Sequence, residues 1–117
     1  MTIKDSYSLI SGNYEGVLNR LGSEDRVARF VQKFFETGDF ENLEDGVKNR
    51  DASKVFDFSH KMKGNALNMG FDEFAKDMSN LVEYVRLRTI PDENELDKMF
   101  FLLKNQYSSL IKAFQVV

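Results

Sequence analysis

The chain contains no cysteine, a single histidine and a single proline in 117 residues. Without cysteine, disulfides, thiolate metal sites and cysteine nucleophiles are excluded, and nothing argues for an oxidising compartment. The cytoplasm is therefore the expected location. One histidine and no thiolate cannot build the usual zinc or di-iron ligand sets, so no metal site and no cofactor is expected. No apolar run approaches the roughly 18 residues that a membrane span needs. The net charge is −3, with acidic and basic residues mixed along the chain, so no basic stripe is offered to a phosphate backbone. Membranes and nucleic acids are thus not expected as partners. A P-loop or other glycine-rich nucleotide fingerprint is also missing. The chain is not expected to bind ATP, to phosphorylate itself or to act as an enzyme.

What is present is apolar material in a helical rhythm. Hydrophobic residues make up 42% of the chain and eleven are phenylalanine, enough for one core and one domain spanning residues 1–117. Apolar residues recur at three- and four-residue steps, which predicts an all-α fold. A short segment around Tyr14 to Leu21 precedes "LGSEDR", where Ser23 is a candidate N-cap with Glu24 and Asp25 in the first turn. The helix after it is expected to bury Val27, Phe30, Val31 and Phe34. At "ETGDFENL" the pattern pauses over Thr37, Gly38 and Asp39, which leaves open one bent helix or two. Asp51 caps the next expected helix, which runs to about Gly70. Phe71, Phe74, Ala75, Met78, Leu81 and Val85 mark another. Pro91 then interrupts the helix, and Asp92 with Glu95 forms a capping-box pattern for a last one. That one is expected to bury Leu96, Met99, Phe100, Leu103, Tyr107, Leu110 and Phe114. Amphipathic helices with short connections satisfy one another most readily as an antiparallel bundle.

The chemistry concentrates in "SHKMKGNALNMG", residues 59–70. At about 100° per residue, Val55, Phe58, Met62, Ala66 and Met69 share one arc, roughly opposite His60. The arc centred on His60 holds Phe56, Lys63, Gly64 and Leu67. The histidine is therefore expected to face away from the core. Gly64 lies mid-helix, where glycine costs about 1 kcal/mol relative to alanine and no cap requires it. Clearance beside the imidazole explains it, because position i+4 lies one turn along the same face. Lys63, at i+3, can bring an ammonium next to that space and offset the charge of a phosphoryl group. Phe56 and Leu67 add apolar surface suited to docking a partner. An exposed imidazole, with a reference pKa of about 6.5, is largely unprotonated at neutral pH and can act as a nucleophile without a dedicated base. A hydrolase using His60 as general base would need a nucleophile or an oriented water, and no serine or aspartate partner stands at motif spacing.

His60, Lys63, Gly64 and Gly70 reproduce the pattern H-x-x-K-G-x-x-x-x-x-G, and with it the chain resembles histidine phosphotransfer (HPt) domains. The similarity extends to "LGSEDR", to "FFETGDFENLEDGV" and to the apolar positions after Gly70, over roughly residues 13–115. It implies an up-and-down four-helix bundle with an additional short N-terminal helix. It also implies a phosphocarrier in a multistep two-component phosphorelay. His60 would be the phosphoacceptor through its ε nitrogen, Lys63 would compensate phosphate charge and Gly64 would give clearance. Gly70 would position the next helix. The partners would be receiver domains of response regulators and hybrid histidine kinases, with Mg²⁺ supplied by the receiver, and the carrier is expected to be a monomer. Similar domains often place Gln or Glu on the following helix, facing the histidine. Here the matching position is Val82, with Glu83 turned about 100° away. Two alternatives use the same residues: a helical adaptor that binds receiver domains without accepting phosphate, and the phosphoacceptor module of a chemotaxis-type histidine kinase.

Overall fold

Most helices of the computed structural model begin on a residue suited to that position. The structure describes residues 2–115. Thr2 and Asp5 exchange side-chain and backbone hydrogen bonds in a capping box that starts α1, Ile3–Leu9. Asn13 caps α2, Tyr14–Leu21, and Ser23 caps α3, Glu24–Glu36. The pause at Thr37 to Asp39 separates two helices, because Gly38 takes a left-handed conformation (φ 75°) before α4, Asp39–Lys48. Asp51 accepts from the Lys54 N–H and starts α5, Ala52–Asn68. Gly70 (φ 70°) then closes α5 in a Schellman turn, with Phe71 N–H on Ala66 O and Gly70 N–H on Leu67 O. α6 covers Asp72–Tyr84 and α7 covers Glu93–Phe114. Asp92 accepts from the N–H groups of Asn94 and Glu95.

All seven elements are helices, and no strand occurs among the described residues. The polar start of the chain supplies α1 as well as the expected α2, so two short helices precede the longer ones. α4 packs on α5, α5 on α6, α6 on α7, and α7 returns to α4. α1 packs on α7, while α2 lies on α3. The expected apolar positions of α6 are buried, as are those of α7 except the half-buried Met99. Two expectations need correction. Phe30 is 44% exposed, on the rim of a groove and under the Lys33 ammonium. Phe58 is only half-buried, and Ser59 beside it is fully buried. No helix among the described residues is long and apolar enough to cross a membrane.

Tyr7 joins α1 to the end of α5. Its ring lies 5.0–5.7 Å from those of Phe114, Tyr14 and Phe71, and its hydroxyl donates to the Met69 carbonyl at 2.7 Å. That carbonyl lies beyond the last helical turn and has no intrahelical partner. Burial pushes the Tyr7 phenol well above its ordinary pKa, and pushes Tyr107 up to about 12. A raised folded-state pKa means that the neutral form is favoured in the fold. Its stability is complete below the unfolded value near 10 and is lost as pH rises above it. Tyr7→Phe is expected to cost about 1–3 kcal/mol at pH 7, by leaving a buried acceptor unpaired. The deficit should shrink above pH 10, where only the wild type loses the Tyr7 contribution. Denaturant melts of both proteins from pH 7 to pH 11 check this, and a constant difference across the range would refute it.

Candidate functional site

α5 is packed on two flanks, by α4 and by α6. At the α4 flank the backbones come close: a Cβ on Gly46 would lie 3.2 Å from Lys54 Cβ and from the Val55 nitrogen. Val55, Ser59, Met62, Ala66 and Met69 are buried. The remaining arc faces outward and carries exposed His60, half-buried Lys63, exposed Gly64 and exposed Leu67. Of the predicted site residues, His60, Lys63, Gly64 and Leu67 thus share one outward-facing arc of α5, while Phe56 is half-buried and Gly70 buried. Among the described residues no hydrogen bond is made by the His60 ring. Its neighbour is the Phe56 ring, with centroids 5.8 Å apart and planes at 20°.

The two lysines beside His60 have different surroundings. Lys61 reaches sideways to Asp39 at the start of α4, with 3.3 Å between Nζ and Oδ1. Asp39 is only 3% exposed, and its Oδ2 has no hydrogen-bond partner. Lys63 turns toward α6 and forms no ion pair among the described residues. Its charge still reaches Glu83. The Glu83 carboxyl is held below the ordinary carboxylate range first by hydrogen bonds from the Arg86 guanidinium, with Lys63 acting in the same direction. Lys63 is therefore a cation one helical turn from His60 on the same face, without an ion-pair partner among the described residues.

Gly64 has open space around it: a Cβ built there meets nothing within 4 Å. The other six glycines each have a local reason. Gly22, Gly38 and Gly70 hold positive φ, and a Cβ on Gly12, Gly16 or Gly46 would crowd a neighbour. Gly70 has both reasons, since its Cβ would fall 2.6 Å from Val17 Cγ2 and 2.8 Å from the Asn13 carbonyl. It joins α5 to the start of α2, whose Asn13 N–H donates to Gly70 O at 2.9 Å.

The two expected docking residues diverge. Leu67 is 49% exposed. Its carbonyl and that of Asn68 accept from Arg20 of α2. An apolar groove of about 380 Å³ adjoins them, lined by Leu21, Phe30, Phe34, Asn65, Asn68 and Met69 among others. Phe56 is half-buried instead: it packs against the edge of the core, and the Arg88 guanidinium lies 4.7 Å above its ring. Sequence reasoning missed Arg88, which belongs to the α6–α7 connection and approaches α5 only in the folded chain. Val82 is 1% exposed, and its side chain has no polar atom with which to orient the imidazole. Among the described residues no group of three or more His, Asp or Glu side chains is placed to hold a metal ion.

Gly64→Ala removes a helix-weakening residue from a position where the fold leaves room for a methyl. The variant is expected to be more stable by about 0.5–1 kcal/mol. Urea denaturation measures this, and a destabilised variant would show that the fold itself needs glycine there.

The chain matches no family of known proteins, no curated protein and no solved structure with which it was compared.

Proposed function

We propose that the protein is a histidine phosphotransfer carrier, taking a phosphoryl group onto His60 from a receiver-domain aspartate and passing it to a second receiver. The observation that carries this reading is the combination on α5 of an exposed imidazole and a Lys63 ammonium at i+3, neither with a hydrogen-bond or ion-pair partner among the described residues, and open space over Gly64 at i+4. The cycle of contacts among α4, α5, α6 and α7 supports the finer architecture, an up-and-down four-helix bundle to which α1, α2 and α3 are added.

In the transfer step the Nε2 lone pair of His60 forms an N–P bond as the P–O bond of the aspartyl phosphate breaks. The electron pair of that bond stays with the departing carboxylate. The second ring nitrogen keeps its proton or exchanges it with water. Phosphoryl transfer of this kind depends mainly on alignment and charge compensation. The receiver would contribute its carboxylate and Mg²⁺. This chain would contribute the nucleophile, the Lys63 charge and the clearance over Gly64. Leu67 and the adjoining groove would give the receiver an apolar footing. The step is reversible, so the same face serves donor and acceptor in turn.

Incubation with a phosphorylated receiver domain and Mg²⁺ should give acid-labile, base-stable phosphate on the wild type and none on a folded His60→Gln variant. Label retained in that variant would place the acceptor elsewhere. No label on the wild type with any receiver tested would favour a docking adaptor. Gly64→Gln should slow transfer while the bundle stays folded. Lys63→Ala should shorten the phosphohistidine lifetime by about two- to fivefold, the scale of one exposed charge pair. Equal lifetimes would remove that role from Lys63.

A further inference from the structure

The side chain that holds the His60 ring should come from somewhere other than α6. Val82 is buried, and Glu83 is engaged by Arg86. What touches the imidazole is Phe56, one turn earlier on the same helix, in a near-parallel stack. Helical side chains lean toward the N-terminus, so the ring at position 60 naturally lies over position 56. Phe56 is itself clamped. The Arg88 guanidinium lies 4.7 Å from its ring centroid, donates to Asp57 Oδ1 at 2.8 Å and reaches Ser53 O at 3.4 Å. Arg88 holds this place from a left-handed backbone conformation, φ 58°, one that non-glycine residues adopt at a cost in backbone energy.

We infer that Phe56 and Arg88 are positioning residues for His60: the guanidinium packs on the phenyl ring and the phenyl stacks on the imidazole, and together they hold the exposed acceptor ring. This rests on the phosphocarrier reading and supplies for it the ring-orienting group absent at Val82. A phenyl face restricts how the imidazole turns without bonding to either nitrogen, so neither is blocked by the contact. Arg88 acts one layer away, by holding the phenyl plane through cation–π contact while Asp57 and Ser53 hold the guanidinium.

The test uses the fact that His60 is the sole histidine, so its ring signals in an NMR spectrum are unique. In the wild type, the His60 Hδ2 and Hε1 signals should be displaced from free-histidine positions by the Phe56 ring current. Phe56→Leu should return them, and Phe56→Tyr should keep them displaced. Arg88→Gly relieves the left-handed backbone and loses only surface contacts, the ion pair with Asp57, the hydrogen bond to Ser53 O and the guanidinium over Phe56, so the fold should be retained while the displacement diminishes. Transfer from a phosphorylated receiver should fall about 2- to 12-fold in Phe56→Leu, the range spanned by one aromatic pair, and recover in Phe56→Tyr. Wild-type ring signals at free-histidine positions, or signals and rates unchanged in Phe56→Leu, would overturn the inference. Displaced wild-type signals without any phosphate uptake would overturn the carrier reading and the positioning role with it, while leaving the stack as a structural fact.

Discussion

The site depends on α5 being packed from two sides and left bare on the third. A helix free in solution would not hold a histidine in fixed relation to anything, because short isolated helices are marginal in water. α4 and α6 fix α5 by closing on small or flat positions: Gly46 admits the α5 backbone, and Ser59 and Ala66 are fully buried. With Val55, Met62 and Met69 pointed inward, the rotational setting of α5 is decided. His60, Gly64 and Leu67 are outside because the core has taken the opposite arc. The orientation of the His60 face is therefore a consequence of core packing, and a substitution that rotated α5 by one position would move His60 about 100° toward a flank.

Charge on this face follows from the same packing. The neighbours of His60 at 61 and 63 lie on opposite flanks, so they meet different helices. On the α4 side a nearly buried carboxylate, Asp39, takes Lys61. On the α6 side Glu83, whose carboxyl feels the Lys63 charge, is already engaged by Arg86, and Lys63 forms no ion pair among the described residues. An ammonium tied to a buried carboxylate would have to abandon it, at an electrostatic cost, before it could meet an incoming anion. Lys63 has no such bond to break. The distinction between two lysines two residues apart is thus made by the helices they face.

Much of this was legible in the chain because the relevant signals are local. Ser23, Asp51 and Asp92 cap the helices they precede, and the arc opposite His60 is buried except at Phe58. What escaped is what depends on distant partners. α1 looks like a polar leader, since only Ser6 and Tyr7 of its seven residues are buried, and Tyr7 matters because of Met69 and Phe114. Phe30 has the spacing of a core residue but lies where α3 borders a groove. The split between α3 and α4 turns on Gly38 being left-handed, which the residue permits but does not require. Phe56 reads as an open apolar residue until the α6–α7 connection brings Arg88 over it.

That connection also bears on the direction from which the site can be reached. Arg50 and Arg88 both occupy left-handed conformations in which glycine would avoid about 1 kcal/mol or more of strain, so their side chains have work there. Arg50 pairs with Asp97 through two hydrogen bonds and approaches Glu93, tying the α4–α5 turn to α7. Arg88 ties the α6–α7 connection to Asp57 and covers Phe56. The N-terminal side of His60 is therefore occupied by Phe56 and covered by the Arg88 guanidinium, already in use. The C-terminal side, over Gly64 and toward Leu67, is open. On the phosphocarrier reading, a phosphoryl donor must approach over the glycine, and only from that side do the clearance at Gly64 and the uncommitted Lys63 charge act on the same incoming group.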